Sequence, residues 1–143
     1  MNINLRHVGL IVKDIDTSLK LYRDILGFTP KVDQEERGDF FEHLTGIKEG
    51  SARTTKCYAE DNSCIELIQF ITPVLQKRIK NLSSEGFNHI ALNVKNLKDL
   101  EQKLRNLNIE FINAPRLNDE KSAMVAFCKD FEGNLSELVQ TEF

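Results

Sequence analysis

The chain has 143 residues, of which 29% are charged, and its formal net charge is −3. This length allows one compact domain, and the slightly acidic balance offers no basic face to nucleic acid or an acidic membrane. No apolar run reaches the about 18 residues of a membrane-spanning helix, and the first residues lack the pattern of a signal peptide. The three cysteines form no CxxC pair, which argues against a disulfide framework and predicts a reducing, cytoplasmic setting.

The first half of the chain alternates between strand and helix patterns. Residues 5–12 are rich in β-formers and predict a strand, and the apolar spacing after them predicts a helix from Asp14 or Asp16 to Gly27. A second strand is predicted at 28–32. The polar, turn-rich residues 33–56 predict a long excursion with one helical turn at 41–44, and further strands are predicted at 54–59 and 64–70.

The second half repeats this order after a predicted connecting helix at 73–85, which Pro73 would begin. It contains a predicted strand at 87–94, a helix marked by a leucine stripe from Leu97 to Leu107, and strands at 110–112, 123–128 and 135–141. Each half is therefore a β-α-β-β-β module. The predicted fold class is α+β, with a single domain over 1–143 in which module one spans 1–72 and module two spans 86–143.

A histidine opens each module, and a glutamate lies in the last strand of each module. The pairs are His7 with Glu66 and His89 with Glu137. Strand alternation places each histidine opposite an aliphatic face that would pack on the helices, so both histidines are expected on the concave side of the sheet. The small residue two positions after each histidine leaves room there for a ligand.

Two readings of these residues compete. A lone strand histidine is more often a hydrogen-bonded core residue than a metal ligand. A glutamate inside an apolar strand is harder to explain that way, because a buried carboxylate needs a cation, a proton or a salt bridge. The matched pairs therefore favour one metal ion bound by His7, Glu66, His89 and Glu137, with donor atoms about 2.0–2.3 Å from it. Arg116 and Lys121 read more simply as solvated surface residues, and contact with an anionic substrate is the alternative.

Several motifs give the chain a family resemblance. They are His-Val-Gly-Leu-Ile-Val-Lys-Asp-Ile-Asp at 7–16, Tyr-Arg-Asp-Ile-Leu-Gly-Phe at 22–28, Asn-His-Ile-Ala-Leu at 88–92, and the segment 125–138. On these motifs the chain resembles the vicinal oxygen chelate superfamily, which includes glyoxalase I, methylmalonyl-CoA epimerase, fosfomycin and bleomycin resistance proteins, and extradiol dioxygenases. The resemblance implies paired β-α-β-β-β modules that form a curved sheet around a metal cleft, with the two His–Glu pairs at the four ligand positions.

The ligand set separates branches of this superfamily. A full His/Glu/His/Glu set looks like glyoxalase I, whereas resistance thiol transferases and extradiol dioxygenases use two histidines and one glutamate, and epimerases often carry glutamine at the second position. Bacterial glyoxalase I proteins also carry an arginine and an asparagine that bind glutathione. Ile11 and Phe70 stand at those places here. Another hemithioacetal, an acyl-CoA or a small hydroxyketone is therefore as consistent with this chain as a glutathione adduct.

The expected function is that of a metal-dependent lyase or isomerase of the glyoxalase I type, acting on a small oxygenated, hemithioacetal-like substrate. The divalent metal (Ni, Co, Zn, Mn or Fe) would stabilise an enediolate, with Glu137 as the base and Glu66 as the second catalytic carboxylate. The alternatives are an epimerase acting on an acyl-CoA or hydroxyketone, and a small-molecule binding or resistance protein without turnover. A homodimer is expected, and the metal donors come either from one chain or from two. The excursion is expected to cover the substrate with Phe40 or Phe41.

Overall fold

The computed structural model describes residues 3–77, 82–83 and 85–143. The chain divides into two compact units, Met1–Lys77 and Arg78–Phe143. Each unit contains one four- or five-stranded sheet with helices, so the predicted α+β class is confirmed. Among the described residues, no helix is long and apolar enough to cross a membrane. The assembly of both units into one domain with a curved sheet and cleft stays a prediction.

The first unit is a mixed sheet with a helix after its first strand. Its elements are β1 (Val8–Ile11), α1 (Ile15–Tyr22), β2 (Thr29–Arg37), α2 (Asp39–Thr45), β3 (Ser51–Tyr58) and β4 (Cys64–Thr72). The strand order is β1-β4-β3-β2, in which β1 runs parallel to β4 and the other pairs are antiparallel. The first and last strands of the module therefore lie side by side.

The second unit repeats this arrangement. Its elements are β5 (His89–Asn93), α3 (Leu97–Asn106), β6 (Glu110–Phe111), β7 (Arg116–Leu117), β8 (Met124–Lys129) and β9 (Leu135–Gln140). The strand order is β5-β9-β8-β6, with β5 parallel to β9, and β7 pairs with β8. The first and last strands again become neighbours, which brings the two ends of the module sequence together.

Local signals explain where the two long helices begin. The Asp14 side chain accepts a hydrogen bond from the Thr17 N–H at 2.7 Å, and this bond holds the pKa of Asp14 below its usual value. Asn96 caps α3 in the same way, accepting from the Asp99 N–H at 3.1 Å. A side chain from each module's last strand adds a further hydrogen bond at the start of the helix.

The last strand of each module contributes a glutamine to the start of the helix. Gln69 Oε1 accepts from the Ile15 N–H at 3.0 Å, and Gln140 Oε1 accepts from the Leu97 N–H at 2.8 Å. A helix start has N–H groups with no partner inside the helix, and these side chains satisfy one of them. Ile15 and Leu97 are fully buried, so each glutamine holds its helix against the core face of the sheet.

The predicted excursion at 33–56 is mostly wrong. Strand β2 continues to Arg37 and β3 begins at Ser51, so only the connection between them lies outside the sheet, and α2 occupies part of it. Residues 33–37 are polar because β2 is an edge strand, which pairs only with β3 and is largely exposed. Such a strand lacks the apolar alternation that identifies strands in a sequence. The predicted helical turn at 41–44 lies within α2.

The predicted connecting helix does not begin at Pro73. Residues 73–77 carry no helix, 82–83 form a turn, and 78–81 and 84 lie outside the described residues. Within residues 73–77, Val74 is 84% exposed and Leu75 is half-buried, so this described part of the stretch contributes no buried apolar side chain. The boundary between the two units falls inside this stretch.

The two-residue strand β7 was not predicted from the sequence, because a strand of two residues is too short to show an alternating pattern.

Candidate metal centre

The first His–Glu pair lies where β1 runs beside β4. Gly9 pairs with Glu66 in the parallel register, and His7, two residues before Gly9, lies on the same face of the sheet. The His7 Nε2 atom is 3.1 Å from Glu66 Oε2, and the Glu66 side chain is only 13% exposed. A Cβ atom built on Gly9 would lie 3.3 Å from the Ile68 side chain. A larger residue at this position would crowd Ile68, and glycine avoids that contact beside the His–Glu pair.

A lysine that was not predicted completes the surroundings of Glu66. Lys56 on β3 pairs directly with Glu66 on β4, and its Nζ atom is 3.5 Å from Glu66 Oε1. Both carboxylate oxygens of Glu66 therefore face a nitrogen, one from His7 and one from Lys56. These two nitrogens compensate the negative charge of the largely buried Glu66 carboxylate.

The second His–Glu pair has the same place in its own sheet. Ala91 pairs with Glu137 between β5 and β9, and His89 lies two residues before Ala91. The His89 Nε2 atom is 3.6 Å from Glu137 Oε2, with the two side chains 36% and 27% exposed. The structure thus brings each predicted pair together in its own unit, on one face of the sheet and with Nε2 directed at the carboxylate.

Asn88 sets the orientation of the His89 ring. Its amide nitrogen donates to the Leu82 carbonyl at 3.1 Å, so its amide oxygen faces His89 Nδ1 at 3.0 Å. Because an oxygen acceptor faces Nδ1, that nitrogen carries a hydrogen, and in the neutral tautomer this leaves the Nε2 lone pair directed at Glu137 Oε2. In this tautomer two electron-pair donors face each other, an arrangement that suits a bound cation.

Phe127 takes the position in the second unit that Lys56 has in the first. It pairs with Glu137 between β8 and β9, and its ring meets the His89 ring edge to face at a centroid distance of 5.1 Å. Lys56 and Phe127 stand equally far before their glutamates in the sequence, so aligning the two modules would have indicated both. The surroundings of the two glutamates are therefore polar in one unit and apolar in the other.

A cavity of about 560 Å³ adjoins Phe127 in the second unit. Its wall is mainly apolar, with Leu82, Ile112, Val125 and Phe127, and Arg116 supplies a guanidinium. Arg116 and Lys121 are exposed, as the sequence predicted for surface residues, and Arg116 also lines this cavity. The cavity offers space for the apolar part of a small ligand.

Helix α2 lies on the face of the first sheet that carries His7 and Glu66. Phe41 is buried against Phe70, with ring centroids 6.4 Å apart, and Phe70 shares its sheet face with Glu66. Phe70, which replaces the expected asparagine, is therefore a packing residue under α2. Phe40 is 74% exposed. Whether Phe40 or Phe41 covers a substrate stays a prediction.

Each unit supplies two potential donors. Within the part of the chain that the structure describes, no third His, Cys, Asp or Glu side chain joins either pair to make a larger group of metal ligands. The cysteines are free and buried, and burial raises the pKa of Cys57 and of Cys128 to about 11, so both thiols stay protonated near neutral pH. One ion bound by all four residues stays a prediction.

The geometry agrees with a known sequence family. Residues 4–138 match the model of the Glyoxalase/Bleomycin resistance protein/Dioxygenase superfamily. The chain belongs to this superfamily. Its fold is the glyoxalase type of β-α-β-β-β module, which confirms the resemblance inferred from the sequence. No curated protein matches the chain significantly.

Solved structures of other superfamily members share this fold. A glyoxalase family protein from Bacillus cereus matches with a TM-score of 0.88 and 18% identity, covering 98% of this chain and 95% of that one. A glyoxalase family protein from Enterococcus faecalis matches with a TM-score of 0.67 and 18% identity, covering 95% and 96%. The fosfomycin resistance protein FosX from Listeria monocytogenes, complexed with Mn(II) and sulfate, matches with a TM-score of 0.64 and 17% identity, covering 100% and 96%. Members of the superfamily thus include resistance proteins and bind divalent metals.

Proposed function

We propose that this chain is a metal-dependent lyase or isomerase of the glyoxalase I type, whose metal ligands are His7, Glu66, His89 and Glu137. One observation carries the proposal: the same His–Glu pair occurs in the same register of both sheets. In each pair the histidine Nε2 atom faces a carboxylate oxygen, at 3.1 Å in the first unit and 3.6 Å in the second. Two unrelated core histidines would have no reason to repeat this arrangement.

The donor set suits the proposed ion. Imidazole nitrogens and carboxylate oxygens bind divalent metals of the borderline to hard class, and two carboxylates neutralise the charge of a dication. Ni, Co, Mn and Fe are therefore at least as suitable as Zn, which prefers four ligands. When bound, such a metal acts as a Lewis acid on the oxygen atoms of a substrate.

The surroundings of the two glutamates favour Glu137 as the base. Glu66 is restrained by His7 on one oxygen and by Lys56 on the other. Glu137 is more exposed and has the apolar ring of Phe127 beside it in place of a lysine. A carboxylate without an ammonium beside it is the better acceptor for a proton taken from a substrate carbon. Glu137 therefore moves the proton, and Glu66 serves mainly to hold the metal.

The proposed substrate is a small oxygenated compound of the hemithioacetal type, without glutathione as its required thiol. Phe70 is packed under Phe41 and cannot act as a polar contact, and Ile11 offers no charge. The apolar cavity beside Phe127 gives room for a carbon chain. That cavity also favours the second candidate, an epimerase acting on an acyl-CoA or hydroxyketone. The alternative from a different class is a binding or resistance protein without turnover. The fold of this chain is also that of FosX, a fosfomycin resistance protein.

The test combines metal analysis with proton exchange. The purified protein is stripped with a chelator, reloaded singly with Ni, Co, Zn, Mn or Fe, and incubated in deuterated water with hemithioacetals, methylmalonyl-CoA and hydroxyketones. A lyase or isomerase gives a rearranged product with deuterium next to the carbonyl, whereas an epimerase gives exchange with inversion at one carbon. A binder gives spectral shifts without exchange. A protein that takes up no metal, or that never exchanges a proton, contradicts the proposal.

We further propose a homodimer in the cytoplasm. The free, buried cysteines suit a reducing compartment. In the first unit, Leu5 is 83% exposed, Leu44 is 69% exposed and Ile71 is 51% exposed, and a dimer interface would remove apolar side chains of this kind from water. Light scattering on the purified protein measures the mass, and a monomer at all concentrations would contradict the dimer.

A further inference from the structure

Lys56 is an unusual residue at the centre of the first sheet. It lies in the middle of β3, its side chain is 22% exposed, and its ammonium nitrogen is 3.5 Å from Glu66 Oε1. Strand alternation puts it on the face that carries His7 and Glu66, opposite the buried Cys57. A half-buried lysine loses hydration, so its position on this face needs an explanation.

Compensation of Glu66 explains part of this position, because the Glu66 side chain is 13% exposed and the Glu137 side chain is 27% exposed, but the second unit has no lysine at the matching place. There the corresponding position holds Phe127, and Glu137 keeps its histidine partner at 3.6 Å. The same fold and the same His–Glu pair therefore tolerate an apolar ring at this place. Lys56 is a feature of one module only, which points to a role in what the site binds.

The net charge of the proposed site indicates which kind of ligand Lys56 would bind. The two carboxylates of the proposed ligand set balance a divalent metal, so the Lys56 ammonium adds one positive charge that the ligands do not neutralise. Attraction between charges is stronger in a partly buried site than in bulk water. An ammonium has three N–H donors and can contact Glu66 and a ligand oxygen together. The site therefore suits a ligand that carries a negative charge of its own.

We infer that Lys56 binds an anionic group of the substrate, a carboxylate, phosphonate or phosphate next to the oxygens that the metal binds. This inference rests on the proposed function and narrows its substrate class from small oxygenated compounds to oxyanions. Lysine is a common ligand of such groups because it acts as a compact point charge. Arg116, which lines the cavity beside Phe127, is the alternative cation for binding this group. The test therefore includes a variant that lacks the Arg116 guanidinium.

The test compares two ligands that differ in one charged group. Mn(II)-loaded protein is titrated by calorimetry with dihydroxyacetone and with dihydroxyacetone phosphate, which share a hydroxyl next to a carbonyl. The variants are Lys56→Met, Lys56→Arg and Arg116→Met. Lys129→Met is the matched control, because Lys129 also lies on a strand and pairs with a glutamate, Glu110 at 3.0 Å. Manganese content and thermal unfolding are measured for each variant.

The wild-type protein should bind the phosphate ester at least about 10-fold more tightly than the neutral ketone, the scale of a charge-assisted contact. Lys56→Met should remove that preference while the affinity for dihydroxyacetone changes less than about 2-fold. Lys56→Arg should retain most of the preference, which also guards against a folding defect in Lys56→Met. Lys129→Met should behave as wild type.

The other possible results contradict either the inference about Lys56 alone or the proposed function as well. A preference that survives Lys56→Met, or that disappears only in Arg116→Met, overturns the inference and leaves the proposed metal site intact. Equal weakening of both ligands in Lys56→Met and no rescue in Lys56→Arg show that Lys56 is only structural, which also overturns it. A wild-type chain that binds none of Ni, Co, Zn, Mn or Fe overturns the proposed function and the inference together.

Discussion

Glu66 and Glu137 hold the same register position in their sheets, yet different residues surround them. Lys56 faces one and Phe127 faces the other. Chemically identical side chains therefore have different neighbours, an ammonium in one unit and an aromatic ring in the other. At the scale of single residues, the proposed division of roles between Glu137 as base and Glu66 as metal ligand rests on this difference.

Replacing Glu137 with glutamine should separate catalysis from metal binding. Glutamine keeps an oxygen donor and the side-chain shape but cannot accept the proton, so turnover should fall by about 10²-fold or more. Metal content, measured by mass spectrometry, should stay near that of the wild type. Glu66→Gln is the matched control and should lose less activity. A fully active Glu137→Gln with an inactive Glu66→Gln would mean that the roles are reversed, and two active variants would rule out a glutamate base.

Replacing Asn88 with alanine should weaken metal binding without direct loss of a ligand. Asn88 accepts from His89 Nδ1 and holds the ring, and loss of such an orienting partner typically lowers metal affinity by about 10- to 100-fold. The affinity is measured by competition with a chelating dye. Asn88→Asp restores an acceptor and should recover most of the affinity. Equal affinity in wild type and Asn88→Ala would show that the His89 ring is held by other contacts.

At the scale of elements, the two modules use the same connections. Each long helix begins at a capping side chain and receives a glutamine from the last strand, Gln69 in one module and Gln140 in the other. Within the described residues of the second module, helix α2 has no counterpart. It is anchored by Phe41 on the sheet face that carries the first His–Glu pair, whereas Phe40 points away from this contact and is 74% exposed.

Neighbouring phenylalanines on α2 should have opposite effects. Phe41→Ala removes a buried ring and should lower the free energy of unfolding by about 3–5 kcal/mol. Phe40→Ala removes an exposed ring and should change it by less than about 0.5 kcal/mol, while lowering turnover if Phe40 covers the substrate. Urea unfolding and steady-state kinetics measure both quantities. Unchanged kinetics in Phe40→Ala would show that α2 has only a structural role.

At the scale of the whole molecule, the two units are compact bodies with two potential metal donors each. Two donors rarely hold a divalent metal firmly, so the proposed site needs donors from both units, of one chain or of two. The proposal therefore predicts a definite metal stoichiometry.

The chain should bind one divalent metal ion, and loss of either histidine should abolish it. His7→Ala and His89→Ala lie in different units, so two independent half-sites would each survive in one variant, whereas a shared site is lost in both. Metal at about 100 times its Kd should also stabilise the protein by about 2.7 kcal/mol, seen as a higher Tm in the wild type only. Two ions per chain, or one ion retained in a single-histidine variant, would contradict a shared site.

The sequence by itself determined the repeat, the two His–Glu pairs, the start of α3 at Leu97 and, to within two residues, the start of α1. These features are encoded locally: strand alternation assigns the face of His7, and a single capping side chain such as Asp14 marks a helix start. The family motifs lie in both modules, so the fold class also followed from them, and the family model matches residues 4–138.

The tertiary structure decided what lies around the pairs. Lys56 and Phe127 meet the glutamates through cross-strand register, and Asn88 orients His89 through a carbonyl at Leu82. The polar end of β2 is a strand because β3 pairs with it, although its own residues show no strand pattern. Pairing between strands depends on the whole sheet and is not visible in the residues of one strand alone. The equal spacing of Lys56 and Phe127 before their glutamates is present in the sequence, but only the folded structure shows which atoms they meet.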